Sequence, residues 1–352
     1  MKEKKPIEQD YLNWLTEVKK RYQSTQIKAA VQVNRSMLWF YWGLGKDIVA
    51  LKTRKMRGGS FYVKLSNDLQ RVLPNTKGLS VKNLYYIERF YLLVEETRNF
   101  PQLVGKMGEV FFSIPWGHIR LIIDKYGKDP CQALFYAKKT MDNNWSRNVL
   151  LNFLDTNLYE REGKAISNFA STLPRPESDL AQELTKDPYV FDFLDGSSYQ
   201  SEKELKDALM ENVQRFFLEL GTGFALLGRE YRLEIGESEE FLDFLFYQTK
   251  LHCYVVVEVK ARKFEPGDMG QLGTYVASVN GILKRKEDSA TVGLLICKSK
   301  DNIMAQYASN ALSLPVGVSE YKIGNLAQGL FEGPLPSTEE IESELREAVK
   351  GK

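Results

Sequence analysis

Three consecutive valines, Val255 to Val257, running directly into Glu258 and Lys260 set the tightest limit on what this chain can fold into. The run YVVVEVKARK (Tyr254–Lys263) is short, apolar and β-branched, and it reads as a buried strand. Such a strand belongs in a sheet covered by helices on its faces. Side chains alternate along a strand, so Glu258 and Lys260 share one face and Val259 takes the other. Two opposite charges on one face at the end of a buried strand call for a purpose. The same tripeptide at Glu17-Val18-Lys19 lies in a polar, helical context and reads as a solvated face.

The surrounding sequence supplies the rest of that sheet. EKELKDALMENVQRFFLELG reads as one long amphipathic helix stopped by Gly221. The runs FALLGREYRL, EFLDFLFYQ and HCYVVVEVK read as strands, PGDMGQLGTYVASVN as a helix and TVGLLICKS as a further strand. A helix at about 301–312 and a short strand near VGVSEY follow. The order αβββαβ predicts an α/β sandwich built on a mixed sheet.

Folding the hairpin about its midpoint, between Lys250 and Leu251, sets Asp243 opposite Glu258. Opposed residues on antiparallel strands have Cβ atoms roughly 4.5–5.5 Å apart, so the two carboxylates repel unless a cation lies between them. Mg²⁺, with oxygen ligands at about 2.0–2.1 Å and retained waters, suits that geometry. Lys260, on the same face as Glu258, can orient or deprotonate a water or neutralise a phosphate oxygen. Asp, Glu and Lys on one sheet surface are the parts of a metal-dependent phosphodiesterase.

The first half reads differently. An apolar face including Ile27, Val31, Leu38, Tyr41 and Trp42 predicts a helix through 27–52. YVKLSNDLQRVLP and KGLSVKNLYYIERFYLLVEE predict two more, with Gly78 at the turn and Ser80 as N-cap, in the manner of a helix-turn-helix or winged-helix unit. Further helices are expected near 116–127, 129–142 and 145–160. Residues 1–170 carry 28 Lys and Arg against 16 Asp and Glu, whereas the remainder carries 20 against 30. That asymmetry fits a polyanion-binding first half, or simply helices with solvated lysines. Lys52, Arg54, Lys55 and Arg57, beside Gly58-Gly59, form the densest basic cluster and are the candidate phosphate contacts.

The expected organisation is two-domain α+β: an all-α basic DNA-binding domain (1–170), a Pro- and Ser-containing linker (171–180), an α/β domain (181–325) and a charged helical tail (326–352). Cys131, Cys253 and Cys297 have neither zinc nor disulfide spacing, and two histidines, His118 and His252, exclude a His-rich metal site. No apolar stretch reaches membrane-spanning length and no signal segment is evident, so a cytoplasmic protein is expected.

In their order, VNRSMLWFYWGLGKDI, GLSVKNLYYIERFY, IPWGHIRLII, NNWSRNVLL, FFLELGTGFALLGREYRL, FLDFLFY, VVVEVKARKFEPGDMGQL and GLLICKSK are spread along residues 15–325. This set resembles the bacterial YhcG-type PD-(D/E)XK nucleases, which pair a restriction-endonuclease-like domain with a helical N-terminal domain. The resemblance implies DNA hydrolysis with Mg²⁺, for which Mn²⁺ would substitute. By it, Asp243 and Glu258 ligate the metal with help from the Val259 carbonyl, and Lys260 is the catalytic lysine. Gln271 faces the site from the following helix, and Glu219 completes the pocket. Lys206, Glu230 and Gln248 stand where relatives tend to show Glu, Gln and His.

Plainer readings stand beside these. Glu258 and Lys260 could be a charged strand end reaching solvent, Gln271 a surface amide, and Glu219 an ordinary helix carboxylate. Tyr85, Tyr86, Phe90, Tyr91, Trp39, Trp42, Trp116 and Trp145 read as core rather than base-stacking residues. The functional expectation is a deoxyribonuclease of repair, recombination or defence, with DNA as partner and with homo-oligomers and partner proteins left open. The alternative is a non-catalytic nucleic-acid-binding or assembly module on the same fold.

Overall fold

The computed structural model describes residues 6–54, 61–74, 76–98, 106–194, 199 and 201–324. They fall into two compact units, one reaching Leu154 and the other starting at Asp155.

The first unit is helical: α1 (Pro6–Arg54), α2 (Phe61–Val72), α3 (Val81–Arg98), a 3₁₀ segment (Lys106–Ser113), α4 (Trp116–Tyr126), α5 (Pro130–Asn143) and α6 (Arg147–Asp155). Helix α1 is a single helix of 49 residues, starting well before the periodic stretch. No Gly or Pro interrupts the sequence between Ile7 and Trp42, so nothing breaks it earlier. Sustained burial along α1 begins only near Asn34. Leu38 and Tyr41 are therefore core, Trp42 is half-buried and Val31 is exposed.

Between α2 and α3 the chain turns at Gly78, with φ +93°, where a Cβ would collide with the Tyr41 hydroxyl. Ser80 accepts the Asn83 N–H as the expected cap, at 3.4 Å. Tyr86 and Phe90 are buried and Tyr85 and Tyr91 half-buried, whereas Trp39, expected in the core, is exposed and stacks on Phe112. Among the described residues this unit has no strand.

The second unit opens with short elements: α7 (Leu158–Arg161), β1 (Ile166–Ser167), α8 (Phe169–Thr172), α9 (Glu177–Glu183) and β2 (Tyr189–Phe191). The segment expected as a linker, 171–180, lies inside this unit. Phe169, Leu173 and Ala181 are part of its core, and Asn168 ties β1 to three carbonyls, those of Ser309, Leu312 and Leu314. Pro174 and Pro176 mark a tight, exposed connection between two short helices, anchored on either side by buried Leu173 and Ser178.

Then come α10 (Glu202–Glu211), α11 (Val213–Leu220), β3 (Phe224–Ile235), β4 (Ser238–Gln248), β5 (Cys253–Lys263), α12 (Pro266–Ile282), β6 (Val292–Ser299), α13 (Asn302–Asn310) and β7 (Val316–Ile323). The one long helix expected over 202–220 is two. Asn212 leaves helical geometry at φ −109°, ψ 34°, and its side chain donates back to the Ala208 carbonyl. The apolar face continues across the break through Leu205, Leu209, Phe216 and Leu220.

The sheet runs β1-β7-β6-β5-β4-β3, with β2 beside β7. β3, β4 and β5 are antiparallel, and β5, β6 and β7 are parallel. Val255, Val257 and Val259 pack into one core with Leu205, Leu209, Phe216 and Phe244, while Val256 packs into another with Leu272, Val276 and Leu295. Helix α12 lies so close to β6 that a Cβ on Gly293 would stand 2.8 Å from Val276 and 2.9 Å from Leu272. The site strand is thus clamped between two helical layers.

Candidate active site

The hairpin register matches the fold about Lys250 and Leu251. Gln248 pairs with Cys253 and Phe244 with Val257, so the next position sets Asp243 opposite Glu258. There the ladder passes from backbone to side chains. The Asp243 N–H donates to Glu258 Oε1 at 3.2 Å, and the Val259 N–H donates to Asp243 Oδ2 at 2.9 Å. Each carboxylate is fixed by a backbone donor on the opposite strand. Asp243, Glu258 and Lys260 are all buried, with exposures of 6%, 2% and 6%.

Burial chiefly, and then the negative charge of Asp243, push the Glu258 carboxyl up to about 8, against the opposing pull of Lys260. Lys260 Nζ is 3.6 Å from Glu258 Oε2 and 3.5 Å from Glu202 Oε2, and it donates to Gln271 Oε1 at 3.2 Å. Gln271 in turn donates to the Tyr275 hydroxyl at 2.8 Å. Glutamine therefore stands on α12 as expected, one hydrogen bond from the lysine.

Helix α10 brings a second lysine. Lys206 Nζ lies 2.6 Å from Asp243 Oδ1 and 3.9 Å from Glu230 Oε1. The structure thus gathers Asp243, Glu258, Lys260 and Gln271, and adds Glu202 and Lys206 from α10. Glu202 carries no motif of its own in the sequence, and Lys206 stands out there only as a departure from the family pattern. Their i,i+4 spacing, which puts both on one helix face, was the available signal.

Glu219 is elsewhere. Its carboxylate is held by Arg161, with Nη2 3.2 Å from Oε2, and by the Val190 N–H at 2.9 Å. It faces the helix-side core instead of the carboxylate pair, because Arg161 claims it across the chain. Gln248 is fully buried at the far end of the hairpin, donating to the Thr222 carbonyl and accepting the Lys250 N–H.

In the basic cluster Lys52 is already paired, with Glu88 and the Tyr62 hydroxyl each at 2.7 Å. The Arg54 side chain, Lys55 and Arg57 lie outside the described residues. The charged tail does too.

Two buried, opposed carboxylates match what a magnesium-sized ion asks for, since it takes one or two carboxylates together with waters and substrate phosphates. Among the described residues no group of three or more His, Cys, Asp or Glu is clustered for a metal. Asp243 and Glu258, with the adjoining Val259 carbonyl, would be the holders.

Residues 182–332 match the family model of the YhcG PDDEXK nuclease domain, so the sheet and its flanking helices are the core of a PDDEXK nuclease. Residues 17–161 match the model of the DUF1016 N-terminal domain. The chain belongs to the YhcG-type PD-(D/E)XK nuclease family. It is 28% identical over 332 residues to the protein named "Putative nuclease YhcG" of Escherichia coli K12, covering 85% of this chain and 87% of that one. A crystal structure of a repair endonuclease from Pyrococcus abyssi is similar at a TM-score of 0.26 and 20% identity. That likeness spans 37% of this chain and 49% of the other, too slight to bear on function. No described helix is long and apolar enough to cross a membrane.

Proposed function

We propose that this nuclease is a Mg²⁺-dependent deoxyribonuclease acting in the cytoplasm, with Mn²⁺ able to substitute, in repair, recombination or defence against foreign DNA. The observation that carries the reading is the placing of Asp243 and Glu258 face to face with Lys260 on the same strand. When bound there, a divalent ion supplies Lewis acidity toward a phosphate oxygen. Asp243 and Glu258 hold it, each braced by a backbone N–H. Lys260, steadied by Gln271, orients the attacking water or takes up charge on the phosphate. The basic first unit holds the DNA backbone without choosing sequence.

One observation favours the non-catalytic alternative: Lys206 and Lys260 already stand beside Asp243 and Glu258, where a bound ion would otherwise bring the positive charge. Incubation of the purified protein with linear, circular, branched and single-stranded DNA and with RNA, in Mg²⁺, Mn²⁺ or EDTA, separates the two. The proposal expects metal-dependent cleavage of DNA. Intact substrates under every condition would leave the binding module.

A further inference from the structure

Asp243 has a cation of its own. Both of its oxygens are engaged: Oδ2 by the Val259 N–H at 2.9 Å and Oδ1 by Lys206 Nζ at 2.6 Å. An incoming divalent ion needs one of them. The Val259 donor is part of a clamped strand, whereas Lys206 ends a flexible four-carbon stem, so the lysine is the group able to yield.

A second acceptor waits beside it. β3 pairs Arg229 with Phe244 and Tyr231 with Leu242, so Glu230 falls opposite Asp243 on that edge, as Glu258 does on the other. Three acidic residues thus occupy matching positions on three neighbouring strands. Glu230 is the half-exposed member, its side chain 53% accessible, and its Oε1 is 3.9 Å from both Lys206 Nζ and Arg229 Nη2. Its backbone is left-handed, at φ +47°, where a residue other than Gly is under strain. The strain is the kind met where a side chain is held in place for use.

We propose that Lys206 is an internal counter-cation that exchanges with the catalytic metal: it holds Asp243 in the ion-free protein and passes to Glu230 when a divalent ion takes the carboxylate. This rests on the metal-dependent reading of the site. It adds that ion binding is a competition, which weakens affinity and keeps the carboxylate pair from being left bare. No bond is made or broken, since the ammonium changes partner with its proton.

The test is Mn²⁺ binding to the full chain, followed by the paramagnetic signal of free Mn²⁺, with folding checked by circular dichroism. Lys206→Met should bind Mn²⁺ at least about tenfold tighter than wild type, since removing one charge at this range is worth more than that factor. Lys203→Met, which removes an exposed charge from the same helix, should change little. Glu230→Gln should bind several-fold more weakly, and that weakening should vanish in the Lys206→Met background, where no ammonium needs a new acceptor. A purely Coulombic effect of Glu230 would persist in that background and would overturn the exchange, as would equal affinity of Lys206→Met and wild type. Should wild type and all variants fail to bind Mn²⁺ at any concentration, the metal-dependent reading falls together with the exchange. Tight wild-type binding that Lys206→Met leaves unchanged would sink the exchange alone.

Discussion

Arg161 and Glu219 form a buried ion pair joining the first helix of the second unit to α11, 58 residues further on. Both are nearly inaccessible, at 3% and 4%, and the pair is fully bonded: Arg161 Nε to the Thr156 carbonyl, Nη2 to the Thr156 hydroxyl, and Glu219 to the Val190 N–H. Removing one partner strands the other charge, so Glu219→Ala should lower stability by about 3–5 kcal/mol. Urea unfolding measures the loss. Cleavage per folded molecule should stay at the wild-type level. A selective loss of cleavage with stability intact would return Glu219 to the active site.

The same pair decides where the second unit can be cut. A fragment starting at Asp155 keeps Arg161, Asn168, Phe169 and Leu173, and we expect it to melt cooperatively. One starting at Ala181 loses all four and leaves Glu219 unpaired in the core. It should be insoluble or show no cooperative transition by circular dichroism.

Glu258 makes metal-free stability depend on pH. Its carboxyl rises from the ordinary 4.5 to about 8 on folding, so the folded chain binds a proton the unfolded chain has lost. That contribution is complete below the unfolded value and disappears as pH climbs through the folded one. In EDTA the melting temperature should therefore fall between about pH 4.5 and 8, and Glu258→Gln, permanently neutral, should flatten the slope. Both Glu258→Gln and Asp243→Asn should abolish cleavage while DNA binding persists. A slope unchanged in Glu258→Gln would show that another group is responsible.

Lys260→Ala should remove cleavage and spare metal binding. Lys260→Arg should fail as well, because a guanidinium keeps its proton and is too broad for a slot bounded by Glu202, Glu258 and Gln271. Lys19, in the other Glu-Val-Lys, is exposed on α1, so Lys19→Ala should leave rates untouched. Wild-type cleavage by Lys260→Ala would make Lys260 an ordinary buried counter-charge.

Residues 1–154 hold 26 Lys and Arg against 13 Asp and Glu. This fragment should bind DNA regardless of sequence. With about six phosphate contacts, affinity should drop on the order of 10³-fold between about 50 and about 200 mM salt. Fluorescence anisotropy with a labelled duplex would read this directly, and a salt-independent affinity, or binding confined to the second unit, would contradict it.

What was legible in the sequence was local. The register of β4 and β5 follows from a short turn and a period of two, and it sets Asp243 against Glu258. Glu258, Lys260 and the helix bearing Gln271 lie within a few residues of that pattern. Distant pairings left no such mark: nothing near Glu219 announces Arg161. β1 and β2, of two and three residues, are too short to show alternation. The break at Asn212 was hidden because the apolar face continues across it. Lys206 was legible as a residue but not as a partner, since its role depends on how α10 brings it to Asp243 in the middle of β4.

Where the β4–β5 ladder gives way to side chains, it leaves a built-in reporter. The Val259 amide proton is bonded to a carboxylate oxygen of Asp243, not to a carbonyl. Its resonance frequency and its rate of exchange with solvent deuterium are thereby tied to that one carboxylate. Isotope labelling of valine nitrogen would let the state of the site be followed in the unmodified protein, without substrate or turnover.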